Sequence, residues 1–200
     1  RFYTRFGGRV SILNSRMSQG ERYDQMERVK KGEVDIMIGP RSALFTPFER
    51  LGLIVIDEEH EPTYKSEQVP RFHARETAIE RARMEGASVV LGSATPSLEA
   101  FYACECGRYQ MLRLRNRTGK QAAIRTFSKD YEQGIRKTYL LYGVTGSGKT
   151  EVYMEMIDKV LSEGRQVIVL IPEIALTYQT VMRFYTRFGG RVSILNSRMS

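Results

Sequence analysis

The sequence predicts an α/β fold: a mostly parallel, doubly wound sheet with helices on both faces. Three observations predict it. Short apolar runs alternate with longer stretches of helical periodicity. Leu51 to Ile56 is apolar throughout, as a strand is when both faces of its sheet are covered. Two runs end in small, hydroxyl or acidic residues, at the strand ends where open α/β sheets bind ligands.

Along the chain the elements follow in order. A helix is expected over 19–31, with Ser18 as its cap and Glu21 completing a capping box. Strands follow over 34–38 and 51–56, the second ending in Asp57-Glu58-Glu59-His60. A helix is expected over 72–85 and a strand over 87–92, where "SVVL" leads into "GSATPS". Ser97 then caps a short helix over 97–104. The strand 138–142 precedes a glycine loop. Val152, Met156, Ile157 and Val160 give the next helix, 149–163, its apolar face. A strand over 167–171, a helix over 175–188 stopped by Gly189-Gly190, and a strand over 192–195 complete the series. One lobe is expected to fill all 200 residues.

Composition sets the bounds on function. The chain is 42% hydrophobic and 27% charged, ordinary for a soluble protein, and carries a net charge of +8. A basic balance favours polyanionic partners, nucleic acid above all. No apolar run is long enough to span a bilayer and no signal peptide is visible, so a cytoplasmic protein with no membrane partner is expected. Cys104 and Cys106 lack the further ligands that a zinc site needs and read as reduced thiols.

The chemistry is densest in "TYLLYGVTGSGKTEVYMEMIDKVL". Gly143-Val144-Thr145-Gly146-Ser147-Gly148-Lys149-Thr150 fits G-x-x-x-x-G-K-[ST] between a strand and a helix, the context of a phosphate-binding P-loop. The glycines let backbone N–H groups converge on phosphate, and the helix N-terminus adds positive dipole. Lys149 is expected to reach the β- and γ-phosphates, and Thr150 to ligate Mg²⁺. Asp57, at a strand end, can hold the Mg²⁺ shell, and Glu58 can orient or deprotonate an attacking water. The hydroxyls of Ser93, Thr95 and Ser97 can sense the γ-phosphate.

GVTGSGKTE, DEEH and GSATP together resemble motifs I, II and III of superfamily 2 helicases. "VLIPEIALT" (169–177), "IMIGPRSALFTPF" (36–48) and "YKSEQVPRFHARE" (64–76) narrow the resemblance to the primosomal replication-restart helicases, over nearly the whole chain. The resemblance implies a RecA-like lobe that binds ATP, Mg²⁺ and single-stranded or forked DNA. It implies that Lys149, Asp57 and Glu58 carry hydrolysis, that Arg41 and Ser42 touch the DNA backbone, and that Thr95 couples. It places Phe72, His73 and Arg75 in a loop linking DNA binding to ATP turnover, with aromatics stacking on bases and guanidinium groups holding phosphate. It makes Gln121 the adenine-reading glutamine. The loop reads Val69-Pro70-Arg71-Phe72 where the family has a tryptophan-containing cluster. The family's second helicase lobe, which supplies arginine fingers, is a further implied partner.

Two features depart from the family. Motifs Ib, II and III precede I and Ia, so the order is circularly permuted, with the old ends meeting near Thr118-Gly119-Lys120. The segment "RFYTRFGGRVSILNSRMS" also stands twice, at 1–18 and 183–200. An undiverged copy of this kind is expected of an engineered chain. Two copies compete for one place in the fold. The C-terminal copy is expected to win, because it leaves the helix over 175–188 unbroken. The displaced copy makes domain-swapped self-association an expectation. A second reading is therefore an engineered, non-catalytic folding or domain-swap protein with a relic nucleotide site. A small P-loop kinase is disfavoured by DEEH with GSATP.

Overall fold

The computed structural model describes residues 12–13, 19–67, 69–172, 175 and 178–195. The strands are β1 (Ile12–Leu13), β2 (Ile36–Gly39), β3 (Leu51–Ile56), β4 (Ser88–Ser93), β5 (Gln110–Arg113), β6 (Thr138–Tyr142), β7 (Gln166–Leu170) and β8 (Val192–Leu195). The helices are α1 (Gln19–Lys30), α2 (Ala74–Glu85), α3 (Leu98–Glu105), α4 (Arg117–Glu132), α5 (Lys149–Ser162) and α6 (Tyr178–Phe188).

The strands form one sheet in the order β1-β8-β2-β7-β3-β4-β6-β5. Every pairing along it is parallel. The strand period of two sorts the core into two layers. Ile36, Ile38, Leu53, Val55, Val167 and Val169 face one side, where Phe127 and Tyr131 of α4, Val152 and Met156 of α5, and Phe184 of α6 cover them. Met37, Ile54, Ile56, Ile168 and Leu170 face the other, under Ala74, Ala78 and Ala82 of α2, Ala100 of α3 and Val29 of α1. Strands β3, β4 and β7 are buried at every position, and their apolar stretches Leu51–Ile56, Val89–Leu91 and Val167–Leu170 follow from that burial.

Two elements depart from the sequence expectations. The stretch 110–113 is an edge strand paired with β6, and 117–132 is a helix. Thr118-Gly119-Lys120, expected as a joint between old ends, lies in the first turns of α4. Asn116 Oδ1 caps that helix by accepting from Gly119 N at 2.9 Å. The expected helix over 72–85 begins at Ala74, with His73 as its cap.

The C-terminal copy of the duplicated segment supplies β8, which pairs with β2 through Ile36↔Val192, Met37↔Ser193 and Ile38↔Ile194. Ile12 and Leu13 of the N-terminal copy pair outside it, as Ile12↔Ile194 and Leu13↔Leu195. Each residue therefore faces its own duplicate. The Ser18 cap and the Glu21 side chain lie outside the described residues.

Candidate active site

Parallel strands bring their C-terminal ends to one edge of the sheet, and the candidate residues arrive there from three of them. Strand β6 ends at Tyr142 and runs into the glycine loop, β3 ends at Ile56 before Asp57, and β4 ends at Ser93. Gly146 and Gly148 adopt φ of 79° and 87°, the left-handed region that glycine enters without penalty. Gly143 leaves no room for a side chain: a Cβ there would sit 2.8 Å from the Leu114 Cβ. Helix α5 starts at Lys149, so its N-terminus points into the loop.

Lys149 is 8% exposed, unusual for an ammonium without compensation. Its Nζ donates to the Gly143 carbonyl at 3.0 Å and lies 3.5 Å from Glu58 Oε1. Glu58 has φ of 49°, the one non-glycine residue with positive φ among the described residues. Backbone strain at a strand end, beside a buried lysine, is the kind that surrounding structure sustains at functional positions.

Asp57 is held from both sides. Tyr153 Oη, from α5, donates to its Oδ1 at 3.0 Å, and Tyr64 Oη donates to its main-chain carbonyl at 2.7 Å. Burial pushes the Asp57 carboxyl up from its ordinary range, against the Tyr153 hydrogen bond and the Lys149 charge that pull it down. Burial raises both phenols well above their usual range, so each keeps its proton and remains a donor.

His60 and Glu59 tie this carboxylate turn to the end of β4. His60 Nδ1 lies 2.8 Å from Ser93 Oγ, and its Nε2 lies 3.3 Å from Thr95 Oγ1. Glu59 is 2% exposed. Its carboxylate accepts from Ser97 N at 2.7 Å, from Ser97 Oγ at 2.9 Å and from an Arg75 guanidinium nitrogen at 3.0 Å.

The structure corrects the reading of Arg75 as a phosphate holder. Arg75 is 6% exposed, and its guanidinium is engaged inside the protein by Glu59, Ser97 and Glu76. The fork of donors that suits a phosphate here locks α2 to the turn after β3. One terminal nitrogen of Arg41 donates to the Thr63 and Lys65 carbonyls at 2.8 and 2.9 Å. Neighbouring Ser42 is exposed. Phe72 is half-buried and packs edge-to-face on Phe45, with ring centroids 5.2 Å apart. His73 Nδ1 accepts from Arg75 N at 3.2 Å, and burial with the nearby Arg75 charge lowers its pKa, keeping that nitrogen an acceptor.

A cavity of about 1000 Å³ opens over the loop, lined by Asp57, Glu58, Thr145, Lys149 and Thr150, with Gln179 and Met182 of α6 opposite. A second, of about 750 Å³, adjoins it between the loop and α4 and is lined by Arg115, Arg117, Lys120 and Gln121. Ser147 Oγ is buried with no hydrogen-bond partner among the described residues. An unsatisfied hydroxyl in a loop of this shape fits an absent polar group. The loop, the buried lysine and the carboxylate pair therefore suit a nucleotide phosphate chain with Mg²⁺. Thr150 and Asp57 would hold the metal.

A family model described as "Type III restriction enzyme, res subunit" matches residues 113–198. The replication restart protein PriA of Bacillus subtilis (strain 168) is 39% identical over 171 residues, covering 86% of this chain and 20% of its own length. That of Chlamydia pneumoniae is 37% identical over 171 residues, covering 84% of this chain and 22% of its own. The chain belongs to the PriA family. It spans about a fifth of the length of these curated relatives. PriA of Synechocystis is 48% identical over 103 residues, 51% of this chain and 12% of its own length.

Of the positions that the PriA resemblance marks, Lys149, Thr150, Asp57 and Glu58 meet at one cavity, and Gln121 lines the next. Thr95 joins them through His60. Arg75 instead pairs with Glu59, and Arg41, Phe72 and His73 line neither cavity. Sequence reasoning assigned no role to Tyr64, Tyr153 or Glu59. The second glutamate of DEEH carried a usable signal, since a carboxylate next to an apolar strand is buried only if paired.

Proposed function

We propose that the chain is the ATP-binding motor lobe of a PriA-type, 3′-to-5′ DNA helicase of replication restart, in circularly permuted order. The observation that carries this reading is the buried Lys149, placed between the glycine loop and Glu58, with Asp57 alongside. On this reading Lys149 exchanges the Gly143 carbonyl for phosphate oxygens, and Thr150 and Asp57 hold Mg²⁺. Bound Mg²⁺ supplies charge neutralisation at the phosphates. Glu58 takes the proton of the attacking water on its carboxylate, and the His60–Ser93–Thr95 contacts pass the state of the turn to the end of β4. Gln121 reads the adenine.

A RecA-like lobe of this kind binds single-stranded or forked DNA weakly and unwinds nothing alone. The second helicase lobe supplies arginine fingers worth ~10³–10⁵ in rate. The relatives' role in replication restart suits a cytoplasmic protein. Among the described residues no helix is long and apolar enough to cross a membrane.

ATP hydrolysis with and without single-stranded DNA, beside Lys149→Ala, tests the reading. DNA-stimulated turnover that disappears in the variant is the expected result. Turnover unaffected by Lys149→Ala would place the chemistry elsewhere.

The pairing of Ile12 and Leu13 with their own duplicates favours a second reading, an engineered non-catalytic assembly. A segment that pairs in register with its copy in one chain can do the same with the copy in another, giving domain-swapped oligomers. Light scattering across a dilution series is then expected to show masses rising above 23.0 kDa with concentration. One monomer mass throughout would remove this reading.

A further inference from the structure

Lys120 stands outside every motif used above, yet its ammonium lies on the glycine loop. It comes from the first turns of α4, one residue before Gln121. Its Nζ donates to Glu151 Oε2 at 2.6 Å, in the first turn of α5. Gly148 shows how close this ammonium is to the loop: a Cβ at that position would meet Lys120 Nζ and Cε before any other atom. Lys149 is turned inward to Gly143 and Glu58 and lines the first cavity, whereas Lys120 lines the second.

We propose that Lys120 is a second phosphate-binding cation of the nucleotide site, stored on Glu151 and handed to the phosphate chain when nucleotide enters. The inference rests on the nucleotide reading above. Glu151 is 73% exposed at its side chain, and solvent-exposed ion pairs are weak, so exchanging this partner costs little. A polyphosphate presents more negative charge than one carboxylate, at a helix N-terminus that already favours anions. Glu151 opposes that anion twice, by holding Lys120 and by its own charge. Glycine at 148 is required by its φ of 87°, and the Lys120 ammonium fills the space beside it.

The test is equilibrium titration of the full chain with a fluorescent ATP analogue and with adenosine. Lys120→Gln is expected to weaken ATP binding roughly tenfold, the scale of one exposed charge-assisted hydrogen bond, and to leave adenosine unchanged. It also flattens the salt dependence of ATP binding. Glu151→Gln is expected to tighten ATP binding, and to do so far less when Lys120→Gln is present. Unchanged ATP affinity in Lys120→Gln overturns the proposal, as does equal tightening by Glu151→Gln in both backgrounds. If the unaltered chain binds ATP no better than Lys149→Ala does, the nucleotide reading falls and the proposal with it. The two failures are thus distinct.

Discussion

Replacing Arg75 with alanine is expected to cost about 3–5 kcal/mol of folding stability, the range for removing one partner of a buried ion pair. The loss comes from what is left behind. Glu59 would be left in a site that is 2% exposed, with Ser97 the one remaining donor to its carboxyl among the described residues. Helix α2 would also lose its link to the turn that carries Asp57 and Glu58. The check is a denaturant midpoint for Arg75→Ala beside Arg75→Met/Glu59→Gln. The double variant is expected to recover part of the loss, because a glutamine oxygen still accepts from Ser97 N and no charge stays buried. A loss below ~1 kcal/mol in Arg75→Ala, the scale of an exposed pair, would show that the pair is not buried in solution.

Gly92→Ala is expected to act on the site through steric conflict. A Cβ on Gly92 would land on the Tyr153 hydroxyl, a side chain that is itself fully buried. Either Tyr153 leaves its rotamer and drops Asp57, or α5 lifts from β4. Overpacking of this kind costs about 1–3 kcal/mol, and the lost hydrogen bond to Asp57 adds about 1 kcal/mol. Thermal midpoints of Gly92→Ala, Tyr153→Leu and the pair form a cycle. The shorter leucine relieves the conflict, so the double variant is expected to be more stable than the sum of single effects allows. Simple additivity would mean that the two residues do not meet.

The sheet and the glycine loop were legible for a physical reason. Strands buried on both faces are apolar along most of their length, and a phosphate loop between strand and helix needs glycines at set places. Both requirements are local in sequence. Strand β5 was not legible because it sits at the edge: of its four residues only Leu112 is buried. Helix α4 was hidden by Gly119, a poor helix former read as a joint. Its signals were present in the Asn116 cap and in the i, i+4, i+8 stripe of Ala123, Phe127 and Tyr131. The cluster of Glu59, Arg75 and Ser97 is another matter. Glu59, Arg75 and Ser97 come from three elements, and no period or spacing joins them. Arg75 shows the same limit: the resemblance gave it a place in the coupling loop, and its partners Glu59 and Ser97 become visible only in the fold.

The place of β7 has a consequence for how the chain is built. It lies between β2 and β3, pairing with both through Ile36↔Val167 and Ile54↔Ile168, while no pairing along the sheet joins β2 to β3 directly. Those two strands leave the ribosome more than a hundred residues before β7 does, and until it arrives each keeps an unpaired edge. Synthesis from the N-terminus therefore cannot assemble the middle of the sheet strand by strand. Closure waits on a late, long-range insertion, which carries a loop-closure cost and slows folding. During translation the first half of the chain exposes unpaired apolar strands, and the middle of the sheet closes only when residues 166–170 are free to enter the gap.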